Sequence, residues 1–190
     1  PRAGHETELN YLPATRKKRI AVVGAGPAGL ACSTVAAQRG HAVTLFDAAG
    51  ETGGQFNLAK RIPGKEEFHE TLRYFRHRLE ETGVDVRLGT RVAAADLAGF
   101  DEIVLATGIV PRRVDFPGAD HPMVVSYVDV LTGRVAVAGR VAIIGAGGIG
   151  FDVGEFLVQE GPSPSLDPAR WRAEWGVDLD SDGRGGLARP

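Results

Sequence analysis

Cysteine is almost missing from this chain: Cys32 is the only one among 190 residues. No disulfide can therefore close within the chain, and a dithiol–disulfide mechanism cannot run on these residues alone. A single thiol also fits a reducing compartment, so the expected location is cytoplasmic. Neither sign of charge is in excess. The 22 Lys and Arg against 24 Asp and Glu leave a net −2, which excludes strong electrostatic attraction to nucleic acid or to an anionic membrane. No apolar run approaches 18 residues, so no transmembrane helix is expected, and the polar N-terminus lacks the pattern of a signal peptide. His69 and His77 stand eight apart without a third ligand nearby, and no metal site is read from them. Glycine is plentiful, at 26 residues, and 43% of the chain is hydrophobic. That is an ordinary composition for a folded core, in a length that holds one domain or one and a part.

The glycines are not scattered evenly. Ile20–Val23 is a short, β-branched apolar run that reads as a buried parallel strand. Gly24, Gly26 and Gly29 follow it as G-x-G-x-x-G, with Ala25, Pro27 and Ala28 between them. An alanine-rich helix (Leu30–Arg39) is closed by Gly40, and a second apolar strand, Ala42–Phe46, ends on Asp47. Each glycine has a separate physical role: Gly24 for a tight turn, Gly26 for backbone approach to a pyrophosphate, Gly29 for close helix–strand packing. The free N–H groups and positive end of the helix would meet the phosphates, and Asp47, 18 residues beyond Gly29, stands where a carboxylate accepts from a ribose hydroxyl. A lone glycine motif is weak evidence, but strand, motif, helix, strand and acid together complete the fingerprint of a dinucleotide site.

Around this unit the chain reads more plainly. Arg16–Arg19 is a basic run, read as a solvated lead-in to the first strand. Gly53 and Gly54, followed by Gln55, permit backbone conformations closed to other residues and offer an amide donor and acceptor. Coming just after the ribose-binding acid, this loop is expected to run along the phosphates or ribityl chain. Lys65–Glu81 is an amphipathic helix, with Phe68, Leu72, Phe75 and Leu79 on one face and charges on the other; Val84–Leu88 follows as a strand. Ile103–Leu105 reads as another buried parallel strand ending in Ala106, Thr107 and Gly108, small residues that leave room for a ligand at a strand's carboxyl end. Arg112 and Arg113 read as an exposed pair.

Val141–Ile144 and the glycines at 145, 147 and 150 then repeat the opening motif, 121 residues after the first. A helix is expected over Phe151–Gln159. Two such units imply two nucleotide sites in one α/β, Rossmann-like architecture. Residues 161–190 are rich in Gly, Pro, Ser and Asp and read mostly as loop, with Trp171 and Trp175 spaced for a short helical turn packed on something. No second strand with its terminal acid or arginine follows, so the residue that would choose between NAD and NADP is not identified. The strand Val141–Ile144 is expected to present an unpaired edge. Residues 140–190 are accordingly expected to pack on the first domain, to self-associate with a second copy, or to be poorly ordered.

With both glycine units and Ala106-Thr-Gly108 in view, the chain is similar to the two-dinucleotide-binding flavoproteins, in which an NAD(P)-binding domain is inserted into an FAD domain. Pro1-Arg-Ala-Gly-His-Glu6, Gly53-Gly-Gln-Phe-Asn57, Ile62-Pro-Gly-Lys-Glu-Glu-Phe68, Thr71-Leu-Arg-Tyr74, His121-Pro122, Ser126-Tyr-Val-Asp-Val-Leu131 and Val141-Ala-Ile-Ile-Gly145 sharpen the match. Over nearly all of its length the sequence resembles the bacterial 2,4-dienoyl-CoA reductases, which belong with the old-yellow-enzyme-like iron–sulfur flavoproteins and trimethylamine dehydrogenase.

That resemblance implies an FAD-binding module over residues 19–134, preceded by a lead-in at 1–18 and followed at 135–190 by the first βα unit of an NADPH-binding domain. In the family, a barrel holding FMN and substrate and a cysteine cluster holding a 4Fe-4S centre precede this region, and the rest of the NADPH domain follows it. By resemblance, electrons pass from NADPH to FAD, through the iron–sulfur centre to FMN, and then to an unsaturated fatty acyl-CoA in β-oxidation. The carried-over cofactor residues are Gly24, Ala25, Gly26, Pro27, Ala28 and Gly29 at the pyrophosphate and Asp47 at the ribose. Gly53, Gly54, Gln55 and Arg61 lie along the flavin, the Val92 backbone by adenine, and Ala106, Thr107 and Gly108 beside the cofactor. Gly145, Gly147, Gly148, Ile149 and Gly150 form the partial NADPH site. No catalytic acid or base is expected here, and the chain alone is not expected to turn over a dienoyl-CoA. The binding-class alternative is a module that holds ADP or FAD without catalysis of its own.

Overall fold

The computed structural model describes residues 3–112, 114–137, 139–181 and 185–186. Arg113 of the basic pair, the first two residues of the N-terminal motif and parts of the C-terminal stretch lie outside the described residues. Contacts divide the chain into two compact units: Pro1–Asn57 with Phe68–Val114, and Leu58–Glu67 with Asp115–Pro190.

The first unit is a four-stranded parallel sheet in the order β3-β2-β1-β4, built from β1 (Arg19–Val23), β2 (Ala42–Phe46), β3 (Asp85–Arg87) and β4 (Glu102–Leu105). Helix α1 (Pro27–Gln38) joins β1 to β2. After the short α2 (Phe56–Ala59), helix α3 (Phe68–Thr82) leads into β3. The register places Val86, Leu45, Val22 and Val104 in one row across the sheet. Because strand side chains alternate between faces, this row and its neighbours Ile20 and Val43 present one apolar face. Leu30 of α1 and Leu72 and Leu79 of α3 cover it and complete the core. Phe56 and Phe68 add a ring contact, with centroids 4.3 Å apart.

β1 has β2 on one side and β4 on the other, so strand order reverses at β1. In open parallel sheets, a crevice opens at the carboxyl ends of strands where the order reverses, and ligands bind there. Gly24 follows β1 and Ala106 follows β4 at this end.

The second unit holds α4 (Tyr127–Leu131), α5 (Gly148–Val158) and α6 (Pro168–Trp175). Its apolar centre is Ile62, Leu131 and Val153, with Leu58, Tyr127, Phe156 and Leu157 around it. The sequence reading sets a boundary near residue 135 and starts a helix at Lys65. The contacts group 58–67 and 115–134 with the later residues, and α3 starts at Phe68. The physical reason lies in the side chains of 58–67. Ile62 is 1% exposed in the second apolar centre, and Arg61 Nη1 donates to the Leu131 carbonyl at 3.0 Å. Lys65 Nζ reaches both Asp152 carboxylate oxygens at 2.7 and 2.6 Å, and Ser165 donates to Glu66 at 2.7 Å.

One further expectation, a strand, is corrected. Val141–Ile144 is not a strand: among the described residues it pairs with nothing, and Ile144 is 69% exposed. An extended segment needs a neighbouring ladder to count as a strand, and among the described residues none lies beside it. In residues 161–190, read mostly as loop, the short helix expected at Trp171 and Trp175 is present as the two turns of α6. Asp167 caps it by accepting from the Ala169 and Arg170 N–H groups, and Gly176 ends it at φ +63°. The Trp171 and Trp175 rings stand 6.1 Å apart and pack on one another, both still exposed.

Candidate functional site

At the carboxyl end of β1 the chain turns through Gly24 at φ +110°, a conformation that favours glycine. The turn is also crowded. A Cβ on Gly24 would lie 2.2 Å from the Ala106 carbonyl oxygen, and one on Gly29 would lie 1.8 Å from the Gly24 carbonyl oxygen. Loop, helix and β4 are thus packed backbone to backbone, as the roles read for these two glycines require. Gly26 differs. It caps α1 in an extended conformation (φ −75°, ψ −178°), and a Cβ there would meet nothing closer than the Gly54 Cα at 3.9 Å. Among the described residues the N–H groups of Gly26, Ala28 and Gly29 have no hydrogen-bond partner, while Leu30 N–H already donates back to the Gly26 carbonyl. Pro27 occupies the first helical position, where its missing N–H costs nothing. The free donors at this helix end, beside an open glycine face, are suited to an anionic group.

Three loops meet at Ala25, which is fully buried. Its N–H donates to Asp47 Oδ2 at 2.6 Å, and its carbonyl accepts from Gly53 N–H at 2.8 Å. The other Asp47 oxygen, Oδ1, accepts from Ala49 N–H at 2.8 Å. Gly24 N–H donates to the Phe46 carbonyl at 2.7 Å. The glycine loop, the turn after β2 and the Gly53–Gly54 loop are therefore tied into one surface. Gly53 (φ +127°) and Gly54 (φ +52°) both need glycine, and Gly54 comes close to Gly26. Gln55 is exposed beside them.

Other expected residues fall in the same unit. Val92 is half-buried in the stretch after β3, which is held against the turn at Asp47 by Thr90 N–H to the Asp47 carbonyl and Gly89 N–H to the Ala49 carbonyl, both 2.8 Å. Ala106 lies over Gly24, with Thr107 and Gly108 exposed after it. Arg61 belongs to the second compact unit, where the Leu131 carbonyl accepts from it. One site-forming residue escaped the sequence reading. Asn57 donates through Nδ2 to the Thr52 carbonyl at 3.0 Å and packs under Gly53; an asparagine three residues beyond a glycine pair carries no signal of that contact. Cys32, in α1, is half-buried, and burial pushes its thiol up, so it stays protonated at neutral pH.

The second unit repeats the first turn closely. Gly145 has φ +114°, Gly147 caps α5 at φ −88° and ψ −178°, and a Cβ on Gly150 would lie 2.1 Å from the Gly145 carbonyl oxygen. The N–H groups of Gly148, Ile149 and Gly150 have no partner among the described residues. Among the described residues this loop has no neighbouring strand end, since a Cβ on Gly145 would meet nothing within 4 Å.

Comparison with known proteins identifies the family. Residues 18–163 match the family model described as pyridine nucleotide-disulphide oxidoreductase. The chain is 33% identical to the metal reductase of Desulforamulus reducens, over 84% of this chain and 25% of that protein. It is 34% identical to the cinnamate reductase of Clostridium sporogenes, over 87% of this chain and 25% of that one. Among solved structures, a 2-naphthoyl-CoA reductase in complex with 2-naphthoyl-CoA superposes with a TM-score of 0.78 at 30% identity, covering 92% of this chain and 30% of that one. The chain thus spans about a quarter of the length of the curated relatives it matches. A glycine loop with free helix-end donors occurs twice, in a Rossmann-like fold, within a match that runs from residue 18 to residue 163. The chain belongs to the pyridine nucleotide-disulphide oxidoreductase family, as an FAD- and NAD(P)-binding flavoprotein module.

Proposed function

We propose that this chain is the FAD-holding electron-transfer module of an NADPH-dependent 2,4-dienoyl-CoA reductase. The observation that carries the reading is the three-loop junction at Ala25, which ties the start of α1, the Asp47 carboxylate and the Gly53–Gly54 backbone together. The residues fit FAD there: Gly26 leaves room for a pyrophosphate, the free N–H groups of α1 would bind it, and Asp47 keeps lone pairs for a ribose hydroxyl. FAD, when bound, accepts a hydride and gives up electrons singly. This chain's residues position that group, and none acts as acid or base toward an acyl substrate. The second glycine loop is the corresponding start of the NADPH site. An iron–sulfur centre and FMN, outside this chain, complete the route in this reading, and the protein works in the cytoplasm. The conjugated acyl-CoA substrate class draws support from relatives named for cinnamate and for 2-naphthoyl-CoA.

Two measurements test the proposal. Calorimetric titration of the chain with FAD, ADP and FMN is expected to show FAD binding, competition by ADP and none by FMN. ADP binding without FAD binding would move the reading to a nucleotide-holding module without catalysis, and no binding of either would overturn it. The complete reading frame that carries this sequence is expected to oxidise NADPH with a 2,4-dienoyl-CoA. Turnover of free cinnamate but not of the thioester would replace the substrate class with an enoate.

A further inference from the structure

We infer that Asp47 is a positioning residue for the glycine loop, and not only a ribose acceptor. The inference rests on the reading of that loop as a dinucleotide site. Here both oxygens already accept backbone N–H groups, Oδ2 from Ala25 at 2.6 Å and Oδ1 from Ala49 at 2.8 Å. Ala25 lies inside the G-x-G-x-x-G turn, between Gly24 and Gly26, and its carbonyl in turn holds Gly53 N–H at 2.8 Å. Charge-assisted hydrogen bonds of this kind are short and about twice as strong as neutral ones, and a buried N–H left without its acceptor is costly.

Without the Asp47 carboxylate, the Ala25 peptide would turn to find another acceptor. The same rotation would re-aim the next N–H, that of Gly26, which is one of the phosphate donors. Asp47 would therefore act on the phosphates through Ala25, in addition to any contact with a ribose. It shapes the loop before a ligand binds.

A ligand without ribose hydroxyls separates this role from ribose recognition. Affinities of the unmutated chain, Asp47→Ala and Asp47→Asn are measured for ADP and for 2′,3′-dideoxy-ADP. If the acid serves ribose alone, all three proteins bind the dideoxy ligand equally, and the inference is overturned. The expected result is a loss of about tenfold on dideoxy-ADP for the alanine variant. Asparagine should largely rescue that affinity, because its amide oxygen can still accept from Ala25. A second readout needs neither ligand nor variant: the Ala25–Asp47 bond should appear as a scalar coupling between the Ala25 amide nitrogen and the Asp47 Cγ in the free chain. Absence of that coupling also overturns the inference, even where the alanine variant does not fold. Failure of the unmutated chain to bind ADP would instead remove the dinucleotide reading, and the coupling would still decide whether Asp47 shapes the loop.

Discussion

Adding one methyl group at Gly29 and at Gly26 should have opposite consequences, although the two positions belong to one motif. At Gly29 the new Cβ would lie 1.8 Å from the Gly24 carbonyl oxygen and 2.9 Å from its carbon. Ordinary contact needs more than 3 Å, and the obstacle is backbone, pinned by Gly24 N–H on the Phe46 carbonyl and by close packing on Ala106. No side chain can swing away. Helix α1 must shift off β1 by more than an ångström, which places Gly29→Ala at the top of the overpacking range, about 3 kcal/mol, or about 10 °C in Tm for a chain of this length. At Gly26 φ is −75° and the nearest atom to a new Cβ is 3.9 Å away, so Gly26→Ala should cost no more than about 1 kcal/mol, chiefly as a poorer helix cap. The same methyl would stand on the face that a pyrophosphate must approach. Binding of FAD should then weaken by about a hundredfold, which corresponds to about 2.7 kcal/mol. Thermal denaturation and FAD calorimetry on both variants check the pair. An unchanged Tm for Gly29→Ala would refute the packing argument, and FAD affinity near that of the unmutated chain for Gly26→Ala would remove the phosphates from this loop.

Two other substitutions test the energetics away from the loop. Ser33 is fully buried in α1 and its hydroxyl has no hydrogen-bond partner among the described residues, so Ser33→Ala should raise stability by about 1 kcal/mol and Tm by about 3 °C; a fall in Tm would mean that the hydroxyl is bonded after all. In the second unit, burial raises the Glu66 carboxyl, but bonds from Ser165, its own backbone N–H, Ser163 and Gly64 outweigh it and hold the group below its ordinary value of 4.5. A depressed carboxylate stabilises the fold above the unfolded pKa and loses that contribution as pH falls through the folded one. Denaturant midpoints of the unmutated chain should therefore exceed those of Glu66→Gln at pH 6 and converge on them below pH 4.5; a constant gap down to pH 3 would exclude Glu66 as the source.

The α/β class, the order of β1, α1 and β2, and both glycine turns were legible in the sequence because each rests on local rules. A β-branched run followed by glycines, a proline at the first helical position and an acid at the next strand end act over a few residues, and backbone sterics decide the outcome before tertiary contacts do. The turn at Gly145–Gly150 shows how local these rules are, since it closes as the first one does with no strand ladder beside it among the described residues. Residues 58–67 show the opposite. Their sequence reads as the approach to an amphipathic helix, yet the burial of Ile62 with Leu131 and Val153, and the reach of Lys65 to Asp152, assign them to the second unit. Val141–Ile144 has the composition of a strand and is none, because a strand exists only where a neighbour supplies its hydrogen bonds. Asp47 was legible as an acid at a strand end. Its hold on Ala25 was not, because that bond joins residues 22 apart, and only packing of the β1 and β2 ends side by side brings the carboxylate to the loop.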